Sequence, residues 1–242
     1  MARREPINGA IAAGLAAGVK VVPIAAIPAL ASFTSRKVLF VIIAIVTFLA
    51  PALPFLVSGP FMPGLGEYAR RWEFNAPIYS ATRWLVDTSG IDDASKSLFT
   101  SIKDSAGAEA VAPFVYAQLH PERMARAICG LLFLGGLLAA MRCARIESRV
   151  AWSIAALLLA SPALHPWYWI VMLPLALEAR SRLLVAFALA SPASYLLYTA
   201  IPSGTTLAYA ATYLLPLVTA LLISGTIGRS RTESPDADST SV

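Results

Sequence analysis

Charged residues are scarce in this chain of 242 residues. Only 14% of the residues are charged and 57% are hydrophobic, and the mean hydropathy is +0.68. Soluble proteins carry roughly 25% charged residues, so a soluble domain of this size could not bury so much apolar surface. The scarcity of charge therefore excludes an ordinary soluble domain and predicts an integral membrane protein.

Cysteine is scarce as well, with two residues in the whole chain. Cys129 and Cys143 flank one apolar run and should lie at different depths, so we interpret them as small packing residues. The sequence contains neither a cluster of metal ligands nor a glycine-rich phosphate loop. No cofactor is therefore expected, although the sequence leaves the use of a divalent metal open.

The net charge of +5 does not indicate nucleic-acid binding, because the basic residues form short clusters between apolar runs. The short turns at 161–168 and 201–206 contain no lysine or arginine. Basic residues are enriched in the cytoplasmic loops of membrane proteins, so these turns are predicted to face outward. Membrane lipid is the expected partner of such a protein. The segments predicted to be cytoplasmic hold 11 of the 19 basic residues: Arg3, Arg4, Arg36, Lys37, Arg142, Arg145, Arg149, Arg180, Arg182, Arg229 and Arg231.

The apolar runs predict an all-α protein, a polytopic bundle of about six to eight transmembrane helices in the plasma (inner) membrane. Residues 1–37 form a broken N-terminal membrane hairpin, and residues 38–58 form the clearest single span. Residues 59–123 change to a charged, helical extracytoplasmic loop. Residues 124–228 return to transmembrane helices, and the polar residues 229–242 are predicted to be a disordered cytoplasmic tail.

Lys20 interrupts the N-terminal apolar run. A secretory signal peptide would explain an apolar run that ends in small residues resembling a cleavage site. However, Lys20 and Pro23 interrupt the apolar stretch, which such a signal needs to be continuous. We prefer a hairpin of residues 7–19 and 22–33, with both ends cytoplasmic and Lys20 near the tip. A lysine at membrane depth is costly and suggests a function, although it can also extend its amine to the surface.

The outer loop contains an amphipathic pattern. The apolar face consists of Leu65, Tyr68, Trp72, Tyr79, Thr82 and Val86, which recur at three, four or seven residues. Pro77 should start a second helical piece. The face indicates either a helix lying on the membrane surface or a cap over a site in which Arg70 and Arg71 hold a phosphate. Asp92 and Asp93 could bind a cation, but such a pair more often begins a helix.

A second irregular segment breaks the apolar stretch 150–177. The sequence SPALHPWYW places His165 directly before Pro166, and proline disfavours helix at the residue that precedes it. Irregular backbone at membrane depth is tolerated where protein buries it or where it lines a cavity. His165 could therefore hydrogen-bond a phosphate or a sugar hydroxyl, or it could cap a helix end.

Three segments, in this order, carry a family resemblance: GVKVVPIAAIPAL (18–30), GLGEYARRWEFNAPIY (64–79) and SPALHPWYWIVMLPL (161–175). Together they resemble the C-terminal half of the bacterial membrane glycosyltransferases of the GT-C superfamily. The nearest branch is the polyprenyl-phosphate-mannose-dependent mannosyltransferase-like family. The resemblance covers residues 7–200.

The resemblance implies transfer of a hexose, mannose in that branch, from a polyprenyl-phosphate sugar donor to an acceptor on the outer membrane face. A general base would remove the proton from the attacking hydroxyl, with inversion at the anomeric carbon. Lys20, Arg70 and Arg71 would contact the donor phosphate. The sugar or acceptor cavity would be lined by Glu67, Trp72, Asn75, His165, Trp167 and Tyr168.

The chain departs from the family pattern at its start. Such enzymes place a catalytic aspartate in the first outer loop, and no span followed by an acidic loop precedes residue 7. The catalytic residue is therefore unknown. We expect a fragment, a product of an internal start, or one half of a split enzyme whose N-terminal half is a separate chain. The alternatives are a transporter subunit, which the missing internal repeats disfavour, and a non-catalytic membrane scaffold.

Overall fold

The structure is a computed structural model that describes residues 6–54, 73–104, 120–198 and 204–221. These residues are predominantly helical and contain no β-strand, only one isolated bridge between Phe74 and Ala163. The all-α class predicted from the sequence is therefore confirmed for the part of the chain that the structure describes. The chain divides after Leu164 into two compact units, which are described separately.

The first unit contains seven α-helices among its described residues. They are α1 (Pro6–Val19), α2 (Ile27–Ala31), α3 (Lys37–Leu49), α4 (Pro77–Thr88), α5 (Ile91–Lys103), α6 (Pro121–Ala140) and α7 (Ile146–Ala160). A 3₁₀ turn, Val22–Ala26, precedes α2, and another, Ala50–Ala52, continues α3. The break at Lys20 lies where the sequence predicts it.

The second unit contains the remaining helices. They are α8 (Pro166–Glu178), α9 (Arg182–Ala190) with a 3₁₀ continuation Ser191–Tyr198, and α10 (Gly204–Leu221), which includes a π turn at Ala210–Leu214. The indole of Trp169 is fully buried against Phe187, with ring centroids 5.3 Å apart, and Phe187 in turn meets Tyr213 at 6.0 Å. Aromatic packing therefore joins α8, α9 and α10.

Two of the helices that the structure describes, α6 and α10, are long and apolar enough to cross a membrane. The 20 residues of α6 extend about 30 Å, the thickness of the hydrocarbon core. Leu131, Leu134 and Leu138 recur at three and four residues on α6 and are 67%, 51% and 66% exposed, an apolar stripe suited to lipid. Within the described residues, the helices over the other predicted spans are shorter, so the bundle of six to eight spans stays a prediction.

The apolar stretch 150–177 is broken, as predicted. The helix α7 ends at Ala160 and α8 begins at Pro166. His165 has the extended backbone (φ −74°, ψ 148°) that a following proline favours. The two helices have 15 and 13 residues.

Helix α1 packs closely on α3 through small residues. Ala10, Ala13, Gly14 and Ala17 are the buried positions of α1, spaced three and four residues apart. A Cβ added at Gly14 would meet the Ala44 carbonyl oxygen and would lie 2.7 Å from the Thr47 Cβ. Small residues permit such close backbone approach between membrane helices, which have no hydrophobic driving force to bring them together.

The two helices α1 and α3 run in the same direction. A Cβ at Gly9 would contact Phe40 at 3.5 Å, whereas Gly14 faces Ala44 and Thr47. Lys20, one residue beyond α1, therefore lies towards the C-terminal end of α3, and the structure leaves it exposed. The predicted N-terminal hairpin itself stays a prediction.

Arg149 joins two segments that the sequence predicts on the cytoplasmic side. Its guanidinium donates to Ser32 Oγ at 2.9 Å, lies 4.7 Å from the Phe33 ring centroid, and donates to the Cys143 carbonyl. The end of the N-terminal hairpin thus meets the turn before α7. The membrane side of both segments stays a prediction.

We expect Gly14→Ala to destabilise the protein, because its Cβ would collide with backbone atoms that cannot move aside. Overpacking of this kind costs about 1–3 kcal/mol. Gly18→Ala is the matched control, since nothing lies within 4 Å of its added Cβ and alanine favours helix. Thermal unfolding in detergent should show a lower midpoint for Gly14→Ala only; equal midpoints for the two variants would contradict the close α1–α3 contact.

Candidate functional site

The helix α4 confirms part of the amphipathic pattern in the outer loop. Pro77 occupies its first position, where the missing N–H costs nothing, and Tyr79, Thr82 and Val86 are its buried residues. Leu65, Tyr68 and Trp72, the earlier members of the pattern, lie outside the described residues. The buried face of α4 packs against α6 and the end of α7. The buried members of this cluster are Ala76, Tyr79, Ala125, Cys129 and Ala160.

Two irregular segments meet beside α4. The Phe74 N–H donates to the Pro162 carbonyl at 3.1 Å, and the Leu164 N–H donates to the Phe74 carbonyl at 2.7 Å. Residues 73–76 and 161–164 lie almost 90 positions apart in the sequence and belong to two of the resembling motifs. The pairing satisfies backbone N–H and C=O groups of two segments that have no helical hydrogen bonds of their own at these positions.

Asn75 forms the turn between this bridge and α4. Its φ is +50°, in the left-handed region that asparagine tolerates better than most residues, and its side chain is buried. The turn supplies a structural reason for asparagine at this position. Its predicted role in lining a sugar cavity stays a prediction.

A network of ion pairs holds α4 to the start of α6. Glu73 Oε1 lies 3.2 Å from Arg83 and 3.7 Å from Arg126, and it accepts a hydrogen bond of 2.8 Å from the Tyr79 hydroxyl. Arg83 also lies 3.1 Å from Glu122. The two carboxylates thus neutralise both arginines. The ion pairs connect residues 73–76, α4 and α6.

The network shifts two pKa values. Burial, and then the hydrogen bond to Glu73, raise the pKa of the Tyr79 hydroxyl, which therefore remains a proton donor at neutral pH. Burial alone would lower the pKa of Arg83, but the nearby carboxylates of Glu122 and Glu73 outweigh it and raise that pKa. The arrangement therefore stabilises the charged arginine and anchors α4.

Glu73→Gln should loosen α4, because the neutral amide keeps the side chain's shape but loses the charge that two arginines share. We expect a loss of about 1 kcal/mol, since the carboxylate is partly exposed to water. Hydrogen exchange measured by mass spectrometry should accelerate for residues 77–88. Asp87→Asn is the control: Asp87 pairs with Arg83 inside α4 at 3.6 Å, and its loss should leave that exchange unchanged. Equal exchange in both variants would refute the anchoring role.

An apolar cleft of about 430 Å³ lies between α4, α6 and α7. Ile78 and Ala160 line one end, close to the bridge, and Cys143 and Trp152 line the other. The cleft is narrow beside Gly136, where an added Cβ would lie 2.8 Å from the Ala156 Cβ. Its apolar lining suits a hydrocarbon chain.

Three aromatic residues cluster at the start of α8 in the second unit. The rings of His165 and Trp167 are stacked, with centroids 4.2 Å apart and planes 7° from parallel, and Tyr168 lies 6.3 Å from His165. His165 precedes the first residue of α8, but its side chain does not make a capping hydrogen bond. Trp167 is 42% exposed. The cluster therefore presents an aromatic surface of the kind on which sugar rings stack.

The side chain of His165 is buried, and burial lowers its pKa. A lowered pKa in the folded state means that the unfolded chain binds the proton more readily. The stability that follows is present above the unfolded value of about 6.5 and is lost as the pH falls through it. At neutral pH the imidazole is uncharged and able both to donate and to accept a hydrogen bond.

We expect the wild-type protein to lose thermal stability as the pH falls below about 6.5, the unfolded value for histidine, in part through His165. In His165→Gln this loss should become smaller, because glutamine does not titrate. Thermal midpoints measured in detergent above and below this pH test the expectation. Parallel curves for the wild type and the variant would show that His165 does not contribute.

The remaining predicted site residues have different outcomes. Glu67, Arg70, Arg71 and Trp72 lie outside the described residues, so their predicted roles are untested. Asp92 and Asp93 occupy the first turn of α5, and Lys96 pairs with them at 2.6 and 3.8 Å. They therefore begin a helix, as the simpler interpretation predicted. No group of three metal-ligating side chains occurs among the residues that the structure describes.

Sequence reasoning missed the roles of Glu122 and Arg126. Arg126 lies within the predicted span 124–141, and an ionisable residue inside an apolar run signals a specific partner. That signal could have indicated an ion pair. It could not have identified Glu73, which is more than 50 residues away.

Comparisons of the chain with protein-family models, curated proteins and solved structures found no match.

Proposed function

We propose that this chain is a membrane glycosyltransferase, or the C-terminal part of one. It would transfer a hexose from a polyprenyl-phosphate sugar to an acceptor at the outer membrane face, and the resembling branch suggests mannose. The main support is the pairing of residues 73–76 with residues 161–164. Two of the three resembling motifs are thereby neighbours in space, as parts of one site would need to be.

The cleft between α4, α6 and α7 supports a lipid-linked donor. A polyprenyl chain is a hydrocarbon, and the lining residues of the cleft are largely apolar. One end of the cleft, at Ile78 and Ala160, adjoins the paired segments. A chain bound there would bring its phosphate to the end of the cleft beside the paired segments 73–76 and 161–164.

The predicted side of each segment is a second support. Residues 73–76, Arg83, Glu122 and residues 161–164 are all predicted outside. Phe74 pairs with residues 162 and 164, and Arg83 pairs with Glu122. Ser32 and Arg149, both predicted inside, also meet. Segments predicted on one side of the membrane therefore contact segments predicted on the same side, as an outward-facing transferase requires.

The second unit would supply sugar contacts on this proposal. The exposed face of Trp167 would stack on the sugar ring, and the neutral imidazole of His165 would exchange hydrogen bonds with its hydroxyls. Lys20, Arg70 and Arg71 remain the proposed contacts for the donor phosphate.

Trp167→Ala should weaken binding of the donor, because the stacking surface is lost. Aromatic stacking contributes about 0.5–1.5 kcal/mol beyond area burial, so we expect roughly a three- to tenfold weaker affinity. The assay is binding of radiolabelled polyprenyl-phosphate-mannose to the purified chain in detergent. Trp84→Ala is the matched control, since Trp84 is an exposed tryptophan on α4. An equal effect of both substitutions would refute the stacking role.

Transfer is tested in the same preparation, with and without a separately produced N-terminal half. Sugar transfer only in the presence of that half would identify a split enzyme. Donor binding without transfer in either condition would indicate a donor-binding scaffold. Absence of donor binding by the wild-type chain would overturn the proposal and favour the transporter subunit or a scaffold without a donor.

A further inference from the structure

A hollow with a basic rim and an apolar wall lies in the second unit, between the start of α9 and the end of α10. Its volume is about 510 Å³. The rim is formed by Arg180, Ser181 and Arg182, and the wall mainly by Leu183, Leu217 and Leu221. None of the residues lining the hollow is acidic.

The backbone holds the rim in a defined and strained geometry. The Ser181 N–H donates to Ala176 and the Arg180 N–H donates to Leu177, the two bonds that close a helix with a left-handed residue. Arg180 is that residue, with φ +52°, at a position where glycine is usual. An observed outlier of this kind is a reason to look for a function of the side chain.

Ser181 fixes the other side of the turn. Its hydroxyl accepts a hydrogen bond from the Leu184 N–H at 3.4 Å and so caps the beginning of α9. The backbone that carries both arginines is therefore anchored to α8 and to α9. Neither guanidinium forms an ion pair with any residue that the structure describes. The pair thus differs from Arg83 and Arg126, whose charges are neutralised by carboxylates.

The apolar wall belongs to a helix that could cross a membrane. Leu217 and Leu221 lie near the end of α10 and are 41% and 64% exposed, so the wall is continuous with a surface suited to lipid. Arginine recognises phosphate with two parallel hydrogen bonds, and basic hollows between membrane helices on the cytoplasmic side bind anionic headgroups.

We propose that this hollow binds a phospholipid with an anionic headgroup, drawn from the membrane leaflet that surrounds it. The headgroup phosphate contacts Arg180 and Arg182, and an acyl chain lies along Leu217 and Leu221. The site is separate from the proposed sugar site, and its occupation does not depend on sugar transfer. It would hold the turn between α8 and α9 at the membrane surface.

The substitution Arg180→Gly distinguishes an effect on lipid binding from an effect on stability. Glycine relieves the left-handed strain, so the thermal midpoint of the variant should rise, while one phosphate contact is lost. We expect about fivefold weaker binding of phosphatidylglycerol, the effect of one basic residue near an anionic surface, and about 30-fold weaker binding for Arg180→Gly with Arg182→Gln. Native mass spectrometry of the full chain in detergent, titrated with lipid, measures both. A stable variant with weakened binding cannot be explained by unfolding.

Arg142→Gln is the matched control, because Arg142 is an exposed arginine at the end of α6 and is also predicted to be cytoplasmic. It should bind phosphatidylglycerol as the wild type does, and phosphatidylcholine should bind the wild type more weakly than phosphatidylglycerol. An equal loss of phosphatidylglycerol affinity in the control and in Arg180→Gly would show only a general attraction of basic residues to anionic lipid and would overturn the proposal. Equal binding of the two lipids, or full displacement of lipid by inorganic phosphate, would also overturn it.

Discussion

The two hydrogen bonds between Phe74 and the residues 162–164 join two segments of the first unit that lie almost 90 positions apart in the sequence. Helix breaks leave N–H and C=O groups without partners, and lipid cannot supply them. Here residues 73–76 and 161–164 satisfy backbone groups of each other, so moving either segment away would leave those groups of the other without partners. The position of α4, the ion pairs of Glu73 and the end of the apolar cleft all follow from this pairing.

The remaining contacts between helices are of two kinds, close packing of small residues and ion pairs or hydrogen bonds of arginines. At Gly14 and Gly136 the absence of a Cβ allows helices to approach, and dispersion contacts accumulate over the closely matched surfaces. Towards the predicted membrane surfaces, arginines make the contacts between segments. Arg83 and Arg126 pair with carboxylates at one predicted side, and Arg149 donates to a hydroxyl at the other. An arginine can bury its stem against apolar neighbours while its charged group meets a carboxylate or a hydroxyl.

Both proposed ligand sites occur where a helix begins or ends. His165 and Trp167 stand at the start of α8, and Arg180 stands just beyond its end. The interior of a membrane helix has its backbone groups satisfied and presents apolar side chains, so it offers little to a polar ligand. Polar chemistry is therefore confined to the ends, where the local sequence also departs most from uniform hydrophobicity.

The sequence alone determined the helical class, the break before Pro166, and the buried face of Tyr79, Thr82 and Val86. These features depend on hydropathy, proline and helical periodicity, which act over a few residues. Only the tertiary structure decided that Glu73 pairs with Arg126, that Gly14 meets Ala44, and that Arg180 adopts a left-handed backbone above an apolar wall. Such contacts join residues far apart in the chain, or depend on how a turn closes, and local patterns contain no information about which distant partner completes them.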